Sequence, residues 1–132
     1  MCSKGIEIPG VDIRFIPWNL ETQEKEIAQF DIGVMPLPQT RHSAGKCGYK
    51  ALQYMAAAVP PVVSDVGVNG GIVENGREGL VVPDIEGFYD ALELLAIDHE
   101  HRKELGLNAR KKTENAYSIH VIAKALAEAI SF

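Results

Sequence analysis

Residues 48–64 read GYKALQYMAAAVPPVVS. Over 48–58, Ala51, Leu52, Met55 and Ala56 recur at the spacing of one helical face. Pro60-Pro61 stops that helix, because proline lacks the donor and its ring clashes with the preceding turn. Val62-Val63-Ser64 then follows as a short β-branched run, the pattern of a strand buried on both faces. A helix leading straight into a fully apolar strand is one unit of a helix-covered parallel sheet.

The same alternation extends in both directions. Upstream, Ile32-Gly33-Val34-Met35 is an apolar run closed by Pro36 and Pro38, and a loop runs from there to about Lys46. Before it, Leu20 to Phe30 predicts an amphipathic helix capped by Asn19, and Val11 to Ile16 alternates as a strand ending at Pro17. Downstream, a short helix over 68–74 and an Asn75-Gly76 turn lead to a strand at Gly79-Leu80-Val81-Val82. Asp84 caps a helix carrying Phe88, Leu92 and Leu95. A helix from about Glu100 to Ala116 follows, and Ser118 caps the last one, through Ile130. The order β-α-β-α-β-α-β-α-α-α predicts a three-layer α/β domain over 1–132, with a mostly parallel sheet of about four strands.

Bulk composition agrees. The chain has 132 residues, 46% apolar and 23% charged, which suits one globular core and not disorder or a disulfide scaffold. No apolar run approaches the roughly 20 residues of a membrane helix, and Met1 to Gly5 lacks a signal-peptide stretch, so a cytoplasmic protein is expected. Cys2 and Cys47 have no metal-ligand spacing and read as free thiols. A net charge of −5 argues against nucleic acid as a partner.

That charge is unevenly placed. Between Asp31 and Asp65 there is no acidic residue, while Arg41, His42, Lys46 and Lys50 all fall there. Within this window Gly45-Lys46-Cys47-Gly48-Tyr49-Lys50-Ala51-Leu52-Gln53 follows a strand and opens a helix. Ligands in parallel sheets gather at that edge, and the unpaired N–H groups of a first helical turn attract phosphate. Lys46 and Lys50 add charge, and the Gln53 amide bonds hydroxyls in either polarity. The motif is not a P-loop, and a tight loop-to-helix turn with a solvated start accounts for the same residues. Ser64-Asp65-Val66-Gly67 follows the next strand and reads equally as a ligand-facing turn or an ordinary capped one. No metal set, paired carboxylates or Ser-His-Asp arrangement is evident, so catalytic residues are unassigned. Cys47 reads as a packing residue. The basic run Arg102 to Lys112 is interrupted by Glu104 and reads as a solvated face.

Four segments, in order, carry a resemblance to a known family. Phe30-Asp31-Ile32-Gly33-Val34-Met35-Pro36 is similar to the strand leading into the donor loop of family 4 glycosyltransferases of the GT-B fold. Leu52 to Val63 resembles their L-E-A-M-A-x-G-x-P-V-V segment. Ile72 to Val81 resembles their I-V-x-x-G-x-x-G-x-L-V turn, and Ala109-Arg110 with Tyr117-Ser118 their closing A-R…Y-S. The resemblance covers the whole chain as the carboxyl-terminal, Rossmann-like donor-binding part. It implies a metal-independent, retaining transfer of a sugar from a nucleotide diphosphate donor to an acceptor hydroxyl. The implied donor-binding residues are Gly45, Lys46, Gly48, Tyr49, Lys50 and Gln53, with Gly67 on the neighbouring turn. No cofactor beyond the donor itself is implied. Gly45 and Gln53 stand where the family carries a Glu-x7-Glu pair, and a bacterial subgroup reading G-K-C-G-x-K and Q-Y-M looks alike.

The resemblance also implies that the acceptor domain and the first two donor-domain strands are not represented, so the chain alone is expected to be inactive. Those strands belong between residues 11–16 and 32–35. The first strand is therefore expected either to move beside the second or to leave an edge for a partner chain, giving a homo-oligomer. Two further readings stand beside this one: a non-catalytic α/β module that binds a phosphorylated ligand or a partner chain, and a flavodoxin-like domain without a first phosphate loop.

Overall fold

A computed structural model describes residues 7–131; Met1 to Ile6, including Cys2, and Phe132 lie outside the described residues. The elements are α1 (Gln23–Ile27), β1 (Gly33–Met35), α2 (Arg41–Ala44), α3 (Tyr49–Ala56), β2 (Pro61–Ser64), α4 (Asn69–Ile72), β3 (Leu80–Val82), α5 (Ile85–Ile97), α6 (His99–Ala116) and α7 (Ile119–Ile130). The sheet is parallel in the order β1-β2-β3, with Val34 opposite Val62 and Val63 opposite Val81.

The central strand explains the layering. Every residue of β2 is buried, as a strand covered by helices on both faces requires. Val62 points to one core with Val82, Phe88, Ala91, Leu95 and Leu105. Val63 points to the opposite core with Ala51, Met55, Ile72, Val73 and Ala109. Ile27, Tyr54 and Val59 form a third cluster that seats α1 on α3. The predicted cap at Asp84 forms, accepting from the Gly87 N–H at 2.9 Å. The helix expected over Leu20 to Phe30 is shorter, α1 has Thr22 at its N-cap with no side-chain bond, and Asn19 instead accepts from the Glu21 N–H at 2.8 Å in the turn before it. Ser118 occupies the N-cap of α7, but its side chain makes no capping bond.

The turn between α4 and β3 is closed by Gly76 N–H donating to the Gly79 carbonyl at 2.8 Å. Glu78 is buried beneath it. Its carboxylate accepts from the Glu74 N–H at 2.8 Å and pairs with Lys112 of α6 at 3.1 Å.

Two expectations are corrected. Among the described residues the sheet has three strands and not about four, and residues 11–16 form no strand, so they do not move beside β1. A strand exists only through the ladder of a neighbour, and no described segment offers one here. Val11, Ile13 and Phe15 are exposed, and Arg14 ties the segment to Glu26 at 3.8 Å instead. Among the described residues nothing pairs with the outer edge of β1, which is consequently open. The loop after β1 also contains α2, capped by Thr40, which accepts from the Ser43 N–H at 3.1 Å.

Candidate functional site

Two loops meet where β1 and β2 end. The buried Ser64 hydroxyl accepts from the Leu37 N–H at 2.8 Å, and the Gln39 amide donates to the Asp65 carbonyl at 2.9 Å. Asn69, fully buried, donates to the Ser64 carbonyl at 2.9 Å. Gly67 sits at φ +59 so close to α2 that a Cβ would lie 2.6 Å from the Ala44 carbonyl oxygen. The predicted Gly67 turn and the Gly45–Lys50 loop are thus one surface.

Gly48 makes that surface possible. It is the N-cap of α3, buried, at φ +68, and a Cβ there would overlap the Ile72 side chain. Only glycine combines a left-handed backbone with that close approach. The first α3 carbonyl to be used is that of Gly48, which accepts from the Leu52 N–H at 3.2 Å. The N–H groups of Tyr49, Lys50 and Ala51 precede it and have no carbonyl partner among the described residues. Gly45 is different: its backbone is right-handed and a side chain would fit. Lys46 and Lys50 are exposed and in no ion pair among the described residues, and Cys47 is exposed.

The helix then divides the remaining expected residues between two sides. Lys50 and Tyr54, one turn apart, face a cleft of about 220 Å³ shared with Ile16, Trp18 and Phe30. Burial pushes the Tyr54 phenol above its usual pKa, and its hydroxyl reaches the Val34 carbonyl at 3.4 Å. Tyr49 and Gln53 face a larger groove, about 530 Å³, between α1, α3 and the end of α6. There the Gln53 amide donates to Gln23 at 3.1 Å. Lys50 and Gln53 therefore serve different cavities.

Trp18 and Arg110 were not singled out for these roles from sequence. Trp18 is 62% exposed at the mouth of the smaller cleft, and its position next to a predicted strand end was the available signal. Arg110 donates to the Ala56 carbonyl at 2.5 Å, capping α3 from 54 residues away, and pairs with Glu114 at 2.6 Å. Among the described residues no three His, Cys, Asp or Glu side chains gather as a metal set, and no helix is long and apolar enough to cross a membrane.

Residues 4–98 match the family model described as glycosyl transferases group 1. No curated protein sequence matches the chain. Among solved structures, the chain is similar to the sucrose-phosphate synthase of Thermosynechococcus elongatus, at 26% identity and a TM-score of 0.57, over 59% of this chain and 20% of that one. It is similar to the C-terminal domain of a glycosyl transferase group 1 family protein, LpcC, of Francisella tularensis, at 20% identity and a TM-score of 0.68, over 81% of this chain and 53% of that one. It is also similar to a mutant of TarM of S. aureus, in complex with Fondaparinux, alpha-GlcNAc-glycerol and UDP, at 20% identity and a TM-score of 0.65. That match covers 89% of this chain and 24% of TarM. The chain thus spans between 20% and 53% of these structures. At 20% identity the last two likenesses are likenesses of fold, and the fold they share is the Rossmann-like parallel sheet of GT-B glycosyltransferases. With the family model matching residues 4–98, the chain belongs to the glycosyl transferases of group 1.

Proposed function

We propose that this chain supplies the nucleotide-sugar-binding part of a retaining, family 4 type glycosyltransferase, which moves a sugar from a nucleotide diphosphate donor to an acceptor hydroxyl. The observation that carries the reading is the start of α3. A left-handed Gly48, three N–H groups without carbonyl partners and two exposed lysines converge there, in a stretch free of acids from Ile32 to Ser64. In this reading the diphosphate lies against the backbone of Gly45 to Lys50 and the Gly67 turn, neutralised by Lys46 and Lys50. The base stacks on exposed Trp18 in the aromatic cleft beside Lys50, and Gln23, which lines both cavities and accepts from Trp18 and from Gln53, joins that cleft to the groove of Tyr49 and Gln53. The UDP present in the TarM complex supports a diphosphate ligand for this fold. The open outer edge of β1 is the surface for a partner strand, supplied by a second copy of the chain.

A thermal-shift titration tests the reading. UDP at a hundredfold excess over its Kd raises stability by about 2.7 kcal/mol, and Lys50→Ala abolishes the shift. An unchanged melting temperature at millimolar UDP overturns the assignment. A shift that inorganic pyrophosphate produces as fully as UDP selects a phosphate-binding module with no nucleoside site.

A further inference from the structure

We propose that the cleft beside Trp18 reads guanine, with Glu26 as the residue that selects it, so that the donor is a sugar carried on guanosine diphosphate. The inference rests on the nucleotide reading and adds the identity of the base.

Glu26 stands on the wrong side of its helix for a solvated carboxylate. Gln23, Glu26 and Ile27 form the inward face of α1, while Glu24 and Lys25 take the solvent side. The Glu26 side chain is only 26% exposed, and it lines the cleft of about 220 Å³ together with Gln23 and the rings of Trp18, Phe30 and Tyr54. Its ion-pair partner among the described residues, Arg14, lies 3.8 Å away, beyond hydrogen-bond distance, with its own side chain mostly in solvent. A half-buried carboxylate that lacks close donors costs free energy until a ligand supplies them.

Gln23, three residues earlier, is fixed in the opposite sense. Trp18 Nε1 can only donate, and it donates to Gln23 Oε1 at 3.2 Å; the Gln53 amide donates to the same oxygen at 3.1 Å. The Gln23 acceptor is therefore spent, and its Nε2 remains as a donor. Residues three apart are neighbours on a helix surface, so the cleft offers a carboxylate beside an amide N–H.

That pair is the complement of one base edge. Guanine carries two adjacent donors, N1–H and the N2 amino group, followed by the O6 acceptor. A carboxylate takes both donors in a charge-assisted pair, and Gln23 donates to O6. Uracil has one donor between two carbonyl oxygens, so one of them would face the carboxylate. Adenine gives the carboxylate a single amino group beside the N1 lone pair. Either base leaves Glu26 short of a partner, and a site built for hydrogen bonds discriminates most against a ligand that cannot make them. UDP still enters on its diphosphate and on stacking with Trp18, which is tolerant of the base, but at lower affinity.

Trp18 is the chain's one tryptophan, so its fluorescence reads occupancy of the cleft. The test titrates the chain with GDP, UDP, ADP and inosine diphosphate, which lacks the N2 amino group. GDP is expected to bind at least tenfold more tightly than UDP or ADP, with inosine diphosphate between them. Glu26→Gln, which exchanges one acceptor oxygen for a donor, brings GDP down to the UDP level, with circular dichroism showing that the variant is folded. If that variant does not fold, the comparison of GDP with inosine diphosphate decides the matter on the parent chain. Equal affinities for GDP, UDP and ADP, equal affinities for GDP and inosine diphosphate, or a GDP preference that survives in folded Glu26→Gln overturns the inference and leaves the nucleotide reading standing. Binding of none of the four overturns both.

Discussion

Replacing Ala58 by glycine should stabilise the protein, against the usual direction of an alanine-to-glycine change. The helix α3 ends in a paired motif: the Val59 N–H donates to the Tyr54 carbonyl at 3.0 Å, and the Ala58 N–H to the Met55 carbonyl at 3.1 Å. This geometry puts Ala58 at φ +58, and it is the one non-glycine residue with positive φ among the described residues. A left-handed backbone costs an L-residue about 1–2 kcal/mol. Glycine avoids that cost but loses about 0.5–1 kcal/mol more conformational freedom on folding. The net gain expected from Ala58→Gly is about 0.5–1 kcal/mol, or roughly 2–4 °C in Tm for a chain of this size. Urea unfolding followed by circular dichroism reads it as a higher midpoint with an unchanged slope. Ala57→Gly is the control, since Ala57 sits at φ −88, and it should lower stability by about 0.5–1 kcal/mol. If both variants lose stability alike, Ala58 is not left-handed and α3 does not end as described.

Other expectations follow from single side chains. Glu78→Ala leaves the Lys112 ammonium and the Glu74 N–H without their partner, and should cost about 2–4 kcal/mol in the same urea assay. Gly48→Ala adds a left-handed strain of about 1–2 kcal/mol to an overlap with Ile72, so both a lower Tm and a lost UDP shift are expected. For Tyr54, burial raises the folded pKa above the unfolded value near 10. Its contribution is fully present below pH 10 and is lost as pH rises through the folded pKa, because the unfolded chain releases the proton first. Alkaline unfolding should therefore be steeper in the parent than in Tyr54→Phe, and equal slopes would remove Tyr54 from that account.

The parts legible in the sequence are those that local chemistry decides. Pro60-Pro61 ends a helix wherever it stands, Asp84 caps the turn that follows it, and Val62-Val63 needs cover on both faces. The family segment ending in x-G-x-P also has a physical counterpart, since its glycine position is the left-handed Ala58. Residues 11–16 failed for the opposite reason. Their alternation is real, but a strand is a relation between two segments, and no described segment pairs with them. At the site, Gly48 and Gly67 read from sequence as places where backbone approaches a ligand, while the contacts that call for glycine there are with Ile72 and the Ala44 carbonyl of the chain itself. The split between Lys50 and Gln53 was not drawn from the sequence, although Tyr49 with Gln53 and Lys50 with Tyr54 are each one turn apart and so define two adjacent helical stripes. The Arg110 bond to Ala56 was out of reach, because it joins residues 54 apart with no local signal.

That bond also bears on the energetics of recognition. With Gly48 wedged on Ile72 at one end and Arg110 holding the Ala56 carbonyl at the other, α3 is clamped along its whole length over a buried Ala51 and Met55. A ligand meeting its first turn has little chain to immobilise, so the entropy of ordering has been spent during folding and not at the encounter. Binding at this end should therefore resemble docking onto a finished surface, with fast association and little change in the backbone of α3 between the free and the bound chain.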